Sequence, residues 1–473
     1  MVLHFDGKTV EEITDSRKLK NERIAVVVTG PDLEGEQVLG VVVASSSKGK
    51  DQEKAVYELL QEWEVTERVV ALCCDTTASN TGKWNGACVR LQKTLKSTML
   101  NLLCNHHTFE LHVKTVAAAV SPRVSTSPKE LLFGRLQAHW NSLLDEGIDY
   151  VNLSILPVTD LTVDLQERAD EVKQFLHEVL SKNVFQRGEY RQLAQLILIF
   201  LGGSVQSFKF ATPGAFHRAR FMSQALYYLK WALLMNQVGH LLTLEEEVEV
   251  QKMSKFIALF FGEWWLQSPL AASAPSNCLK AIVQMRDYEK TDSVVSLACL
   301  ESLNRHTTYL SEPLVVFAMA DLKLSSQERN QIAARLVSFE KKSSFPPNKQ
   351  NEPQIDSSWW ESEDLKPSLS MFVGPDSWLL FHLLKFESNE LGWLKTDSFL
   401  WEFDSGYLKF EHFVRNLSIV NDCSERGVKL IEDFVGAAHI ESLRQDTIVS
   451  VADTRKNMPK FSKAAFVKRI KDD

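Results

Sequence analysis

The order of apolar segments in the first ~120 residues constrains the fold more than any other feature of this sequence. Short runs rich in valine, isoleucine and leucine are typical of buried strands. They alternate with stretches in which apolar residues recur three and four positions apart, as on one face of a helix. The resulting order is β-β-β-α-β-α-β-α. Strands are predicted at 3–5, 23–29, 38–44, 69–74 and 100–104, and helices at 51–63, 88–99 and 109–120.

This order predicts an α/β fold of the ribonuclease-H-like class. The second and third strands have the pattern of a hairpin with a longer loop, and the first strand is expected to end in a turn at Asp6-Gly7. Each of the last two strands follows a helix, and a helical crossover allows a strand to join the sheet in parallel. We therefore expect a mixed five-stranded sheet with helices packed against it.

The rest of the chain divides into a helical part, a polar loop and a basic end. Beyond about residue 126 helical periodicity dominates, and a proline-rich polar stretch later interrupts it. We predict the first part of a ribonuclease-H-like core at 1–125, a large all-α insertion at 126–395 with a loop around 343–370, returning helices that complete the catalytic core at 396–445, and a basic C-terminal tail at 446–473.

The composition is that of a core-forming globular chain. Its 473 residues are 44% hydrophobic and 24% charged, unlike a disordered segment. No apolar run reaches the length of a membrane span, and the N-terminus lacks the layout of a signal peptide. The seven cysteines form no disulfide or zinc-finger framework, so we expect a reduced intracellular protein. Because the net charge is −8, binding to nucleic acid would need a local basic patch.

Two aspartates fall where such a sheet could hold divalent cations. Asp6 lies on the first predicted strand and Asp75 at the tip of the fourth, so adjacent strands would bring them together. Hard cations prefer carboxylate oxygens, and a pair of ions can activate a nucleophile and stabilise a leaving oxygen. Each aspartate also has a structural explanation. Asp6 precedes Gly7, as in many turns, and Asp75 precedes Thr76 and Thr77, as a helix-capping residue does.

Three segments of the chain contain short motifs of polar and charged residues. Segment 74–82, CDTTASNTG, contains a D-x-x-x-x-N motif, and 104–107, CNHH, contains a C-x-x-H element that is followed by a helix start at 109–111. Near the C-terminus, 420–427, VNDCSERG, contains the letters S-E-R. These segments resemble motifs of the hAT superfamily of DNA transposases. Together with HFDGK at 4–8, similar elements occur in the same order in a group of transposon-derived animal proteins, and the resemblance covers most of the chain.

The resemblance implies a DDE-type recombinase that cleaves and transfers DNA strands. Asp6, Asp75 and Glu425 would be the catalytic residues and would hold two Mg²⁺ or Mn²⁺ ions. Family members interrupt the catalytic fold with a large helical insertion before the glutamate, and the helical stretch of this chain lies where that insertion belongs. Without the resemblance, Glu425 fits an ordinary pair with Lys429 one helical turn later, and Asp422 on the same face could replace it as the third acid.

A second hypothesis is a catalytically inactive, transposon-derived scaffold that binds nucleic acid or protein. The retained acids favour the enzyme, whereas the negative net charge favours the scaffold. In either case Asn80, Cys104 and His107 would support the site. We expect Cys104 to pack in the core and His107 to form a hydrogen bond, because the four ligands of a structural zinc site are not visible.

Basic segments outside the motifs could contact DNA. His217, Arg218 and Arg220 stand between two phenylalanines in FHRARF at 216–221, a combination suited to phosphates and unpaired bases, although arginines on a helix are also often solvated. The basic tail could aid nuclear entry or touch DNA. We therefore expect DNA as a partner, no association with a membrane, a nuclear location and a capacity to form a homo-oligomer.

Overall fold

The computed structural model describes residues 1–14, 17–31, 33, 35–121, 131–185, 187–213, 223–340, 367–422 and 424. In these ranges the chain forms a mixed five-stranded sheet and many helices. The predicted α/β class and the five-stranded mixed sheet are thereby confirmed. Among the described residues, no helix has both the length and the apolar character needed to span a membrane.

The sheet has the strand order β3-β2-β1-β4-β5. β1 pairs antiparallel with β2, and β2 with β3, whereas β4 lies parallel to β1 and β5 lies parallel to β4. Helices precede both β4 and β5, and such crossovers permit the parallel pairing. The strands are β1 Val2–Thr14, β2 Arg17–Thr29, β3 Gln37–Ala44, β4 Ala71–Cys74 and β5 Leu100–Leu103.

Helices make up most of the remaining described residues. A π-helical segment, Ile257–Phe261, continues α10 into α11. The α-helices are α1 Gly49–Glu62, α2 Ala78–Thr81, α3 Ala87–Leu95, α4 Asn105–Val120, α5 Leu131–Glu146, α6 Val163–Lys182, α7 Gly188–Phe200, α8 Ser223–Leu233, α9 Met235–Val238, α10 Leu244–Phe256, α11 Gly262–Gln267, α12 Ala274–Tyr288, α13 Ser293–Arg305, α14 Glu312–Val315, α15 Ser326–Ser338, α16 Leu379–Leu383 and α17 Ser405–Arg415.

One face of the sheet packs beneath α1 and α3. Leu3 and Phe5 of β1 and Leu72 of β4 join a buried hydrophobic cluster with Leu60 of α1 and Leu91 of α3. The strands supply this face with alternate residues, because successive strand side chains point to opposite sides of a sheet. The other face is therefore formed by the residues in between.

The first strand is longer than its apolar pattern indicates. The predicted turn at Asp6-Gly7 is wrong, because β1 continues through both residues to Thr14, which pairs with Arg17 of β2. Backbone hydrogen bonding along this hairpin stabilises the extension, and the charged residues that follow Gly7 conceal it in the sequence. The predicted helix at 88–99 also ends early, at Leu95.

Contacts divide the chain into two compact units, and all five strands lie in unit 1. The division differs from the predicted insertion at 126–395, because residues 308–340 and 367–395 belong with the sheet. Tyr309, for example, donates from its hydroxyl to the carbonyl oxygen of Leu103 in β5, over 2.7 Å. Unit 1 comprises Met1–His107, Ser268–Ser276 and Thr308–Asp473, and unit 2 comprises Thr108–Gln267 and Asn277–Thr307.

Candidate functional site

The pairing of β1 with β4 brings Asp6 and Asp75 to the same level of the sheet. In the parallel register, His4 pairs with Cys73. Two positions farther along each strand come Asp6, still within β1, and Asp75, the residue directly after β4. The two aspartates therefore occupy equivalent positions on neighbouring strands, as the sequence predicts.

Both aspartates belong to the face of the sheet that α1 and α3 leave uncovered. Phe5 and Cys74 are part of the hydrophobic cluster beneath those helices. Strand side chains alternate between faces, so Asp6 shares the opposite face with His4, and the same alternation continued by one residue beyond β4 assigns Asp75 to it. Both aspartates are partly exposed, whereas His4 is fully buried.

Asp75 uses one carboxylate oxygen to order the loop that follows it. Its Oδ1 accepts hydrogen bonds from the Thr77 backbone N–H at 3.1 Å, from the Thr77 hydroxyl at 2.8 Å and from the Asn80 side-chain amide. Within the described part of the chain, Oδ2 accepts none of the hydrogen bonds to this carboxylate. Asp75 is not the capping residue that the sequence suggested, because the N-cap of α2 is Thr77 and no side chain caps it. The hydrogen bonds of Asp75 order the loop through one oxygen only, which is compatible with a metal-binding role.

Asn80 anchors the loop between β4 and α3. Its side chain is 3% exposed and donates to Asp75. Close backbone contacts fix the same loop, since a Cβ on Gly86 would lie 2.6 Å from the Asn80 carbonyl oxygen, and one on Gly49 of α1 would lie 2.4 Å from the carbonyl oxygen of Asn85. Only glycine fits at these two positions without a shift of the backbone, so the loop is held in one arrangement.

A segment near the C-terminus returns and packs against β1, next to Asp6, and against the residues that follow β5. The Asn105 backbone N–H at the start of α4 donates to the carbonyl oxygen of Ile419 at 2.9 Å. The Asn421 side chain donates to the carbonyl oxygen of Phe5 at 3.1 Å, and its backbone N–H donates to the Cys104 sulfur at 3.2 Å. Asn421 thus contacts the residue before Asp6 and the residue after β5.

The next residue of this segment, Asp422, forms a buried pair with His106. The Asp422 Oδ1 and the His106 Nδ1 are 3.0 Å apart, and both side chains are 1% exposed. His107, for which the sequence predicted a hydrogen bond, is the next residue and is only partly buried. Motif spacing did not indicate His106, because its pairing depends on which face of α4 meets the returning segment.

A second buried histidine lies under the aspartates. The His4 Nε2 is 2.9 Å from the Thr29 hydroxyl oxygen. Complete burial lowers the pKa of His4 to about 3, because the charged imidazolium would lose its hydration. A neutral histidine therefore lies on the same strand face as Asp6.

The cysteines near the site are buried thiols. The expectation that Cys104 packs in the core agrees with its burial and with the hydrogen bond that its sulfur accepts. Cys74 and Cys88 approach with 3.3 Å between their sulfurs, and their hydrogen bond, together with burial, raises the pKa of the Cys74 thiol. Among the residues that the structure describes, no three His, Cys, Asp or Glu side chains cluster as a metal would require.

Several predicted site residues lie outside the described residues. Glu425 is one of them, although its neighbour Ser424 is described and is fully buried, with its hydroxyl donating to the carbonyl oxygen of Asn421 at 3.1 Å. His217, Arg218 and Arg220 are also outside, as is the basic tail. The predicted third acid and the predicted DNA contacts of the helical part therefore stay predictions.

The candidate site thus combines two partly exposed carboxylates, a loop ordered by one of them, and a buried polar segment from the far end of the chain. Sequence reasoning identified Asp6, Asp75, Asn80 and Cys104, but it missed the contacts of Asn421 and the role of His106. The position of Asn421 inside the segment 420–427 is the signal that could have indicated it. No protein-family model and no curated protein sequence matches this chain.

Proposed function

We propose that the chain is a transposase-like enzyme that cleaves and transfers DNA strands, with Asp6, Asp75 and Glu425 as its catalytic carboxylates. The observation that carries the proposal is the parallel register of β1 and β4, which places Asp6 and Asp75 at equivalent positions on neighbouring strands. Carboxylates at equivalent positions on neighbouring strands can supply the oxygen ligands that divalent cations require.

The topology supports a ribonuclease-H-like core. Three consecutive antiparallel strands are followed by two strands that join in parallel through helices, on the β1 side of the sheet. This is the element order from which the sequence predicted a ribonuclease-H-like fold. Two of the segments that resemble hAT motifs, 74–82 and 104–107, begin at the carboxyl-terminal ends of the paired strands β4 and β5.

The returning segment supports a role for Glu425 at the same site. Asn421 and Asp422 are both 1% exposed and are hydrogen-bonded to Phe5 and to His106. Glu425, which comes next after Ser424 in the sequence, supplies the third carboxylate in this proposal, as the resemblance to hAT transposases implies.

Two of the three carboxylates proposed to hold a pair of Mg²⁺ or Mn²⁺ ions, those of Asp6 and Asp75, lie in the described residues. The Asp75 Oδ2 takes no part in the hydrogen bonds to Thr77 and Asn80, and Asp6 is partly exposed on the adjacent strand. Asp6, Asp75 and Glu425 would hold the ions, which when bound supply charge for activating a nucleophile and for stabilising a leaving oxygen. The protein's own contribution is to orient these carboxylates through Asn80, Thr77 and Asn421.

The alternative is a transposon-derived scaffold without catalysis. It is favoured by the three hydrogen bonds on Asp75 Oδ1, because they give this residue a structural task of its own. The net charge of −8 also favours a protein partner over DNA. An activity assay separates the two proposals.

The test is nicking of supercoiled plasmid DNA in Mn²⁺, with Asp6→Asn and Asp75→Asn as the informative variants. Asparagine keeps an Oδ1 acceptor for Thr77 and Asn80 but removes the charge, so the Asp75 loop can still form. Glu67→Gln is the control, because Glu67 is an exposed acid at the other end of β4. We expect the control and the intact chain to nick DNA and each aspartate variant to lose about 100-fold or more of the rate.

Binding of Mn²⁺, measured by calorimetry, should weaken in the same two variants. Failure of the intact chain to nick any plasmid would establish the scaffold instead. Activity on DNA also implies a nuclear location, which imaging of the full chain with and without residues 453–473 would test. Sedimentation of the DNA complex would show whether a homo-oligomer forms.

A further inference from the structure

Trp84 is unusual among the tryptophans of this protein. Nine tryptophans lie in the described residues, and eight of them are at most 6% exposed. Trp84 is 70% exposed. A bare indole ring is a large apolar surface for water to cover, and proteins generally place such rings in cores or at binding sites. Its exposure therefore needs a reason outside the core.

The ring stands on a closed turn in the loop that follows Asp75. The Gly86 backbone N–H donates to the Gly82 carbonyl oxygen at 2.8 Å, so Trp84 lies at the centre of the turn. The turn packs so closely against neighbouring backbone that a Cβ would not fit at Gly86. Asn85 of the turn approaches Gly49, at the start of α1, equally closely. Since Asn80 ties the same loop to Asp75, the exposed ring is presented on a fixed support.

Cations surround this turn in an otherwise acidic protein. Lys83 places its Nζ 5.8 Å from the centre of the Trp84 ring. Arg90 donates from Nη2 to the Asn85 side-chain oxygen at 2.7 Å, so an uncharged amide rather than a carboxylate holds its guanidinium. Lys48 and Lys50 flank Gly49, which touches Asn85.

Acidic residues are scarce in the same region. Positions 76–109 contain no Asp or Glu and four Lys or Arg, whereas the whole chain has a net charge of −8. Asp51 is an acid beside Lys48 and Lys50, and a hydrogen bond from Ser46 lowers the pKa of its carboxyl, with Lys50 and Lys48 adding to the effect. The turn is thus a local basic patch of the kind that an acidic protein needs for binding nucleic acid.

We propose that the Trp84 turn, residues 82–86 with Lys48, Lys50 and Arg90, binds single-stranded DNA. The indole stacks on an unpaired base, and the surrounding cations neutralise the phosphates on either side of it. This inference rests on the proposed function, to which it adds a substrate-binding element on the loop that begins at Asp75. The FHRARF segment that sequence analysis selected for DNA contact takes no part in it.

Unpaired DNA fits the turn better than duplex DNA does. In a duplex the base faces are covered by stacking, so a single projecting indole finds no face to contact, whereas every base of a single strand offers one. The flanking lysines and arginine carry no acceptors and present donors only, which suits phosphate oxygens. A site for a hydrophobic peptide would instead need an apolar surround.

The test is binding of a fluorescent oligothymidine of about 12 nucleotides, measured in EDTA so that cleavage plays no part. We expect Trp84→Ala to weaken binding about tenfold, equivalent to ~1.4 kcal/mol. Trp84→Phe should keep most of the affinity, and Trp84→Leu should not, because only an aromatic face stacks. Phe399→Ala is the matched control, since Phe399 is 61% exposed but stands between Asp397 and Glu402.

Two further measurements make the test specific. Lys83→Gln should lower the slope of log affinity against log salt by about 0.7, as the loss of one phosphate contact predicts. Binding to a duplex of equal length should change little in Trp84→Ala. Because Trp84 is exposed, these variants should retain the circular dichroism spectrum and the melting temperature of the intact chain.

The outcomes distinguish this inference from the proposed function. If plasmid is nicked but Trp84→Ala binds the oligonucleotide as the intact chain does, or Leu replaces Trp as well as Phe does, the inference falls and the enzyme stands. If the intact chain does not bind the oligonucleotide at all, the inference falls as well. If binding depends on Trp84 while no plasmid is nicked, the binding site stands on a protein without catalysis.

Discussion

His106 and Asp422 are 316 positions apart in the chain, yet their Nδ1 and Oδ1 atoms are separated by 3.0 Å in a fully buried pair. The pair joins the first turn of α4 to the segment that returns to the sheet. Its neighbour Asn421 bonds to Phe5, so the same few residues fix both the end of β5 and the middle of β1. The buried pair therefore holds Asp422 against the first turn of α4.

Asp422→Ala should destabilise unit 1 by about 2 kcal/mol, because it leaves the buried His106 Nδ1 without its partner. Asp422→Asn should cost less, since its amide oxygen can still accept from the ring. Urea unfolding would measure the free energy of unfolding of both variants. Hydrogen exchange of the β1 amides in the native state would show whether the loss is felt at β1. Equal losses in the two variants would show that the hydrogen bond is not their source.

Stability should fall as the pH is lowered below about 6.5, because His4 and His112 are buried in the neutral form. Burial lowers the pKa of each to about 3, with a nearby His306 adding to the effect at His112. Between the unfolded and folded pKa values, the unfolded chain binds more protons, so acid favours unfolding. Each histidine should remove about 2 kcal/mol between pH 7 and pH 5.

The matching measurement is urea unfolding at a series of pH values for the intact chain, His4→Gln and His112→Gln. In each variant the free energy of unfolding should fall less steeply below pH 6.5 than in the intact chain. Above pH 7.5 its dependence on pH should be unchanged. Carboxylates that titrate in the same range cancel in the difference between variant and intact chain. A variant with an unchanged slope would mean that its histidine is protonated in the folded state.

Gly86→Ala should destabilise the loop beside Asp75 by about 1–3 kcal/mol. A Cβ there would lie 2.5 Å from the Gly82 backbone nitrogen and 2.6 Å from the Asn80 carbonyl oxygen, so backbone would have to move. Gly392→Ala is the control, because nothing lies within 4 Å of its Cβ position. Thermal unfolding should therefore separate the two variants. A Gly86→Ala protein as stable as the control would contradict the close approach.

Glu263→Gln should destabilise unit 2 by about 3 kcal/mol, because it breaks a buried ion pair. Glu263 is paired with Arg168 and with Lys280, at 2.9 Å, and accepts from Gln267 at 2.7 Å. Burial alone would raise its pKa, but the two cations outweigh burial and hold the pKa below its usual value.

This stabilisation is present above the unfolded pKa of Glu263 and is lost as the pH falls through the lowered folded pKa. Glu301→Gln is the control, because its pair with Arg305 is exposed and contributes little. Chemical denaturation of the two variants at pH 7 and pH 4 is the measurement. A Glu263→Gln loss that is as large at pH 4 as at pH 7 would exclude the charge as its cause.

Local patterns in the sequence were sufficient for the strands with apolar cores and for the two aspartates. A strand is predicted correctly by the valine-rich runs of β2 and β3 and by the short apolar run before Asp75, because such residues are typical of buried strands. The second half of β1 was missed, because its sequence lacks the apolar pattern of a strand, whereas its backbone pairs with β2. The limits of the helical part were also not visible, since unit boundaries depend on contacts between distant segments.

The sequence by itself determined the α/β class, the order of strands and helices, and the presence of two acids at strand positions where they could meet. Only the tertiary structure decided that His106 pairs with Asp422, that Asn421 contacts β1, and that Trp84 points into solvent. The physical reason is the range of the interactions. Strand and helix patterns arise from neighbours in the chain, whereas the partner of a buried polar group is set by which distant segment packs against it.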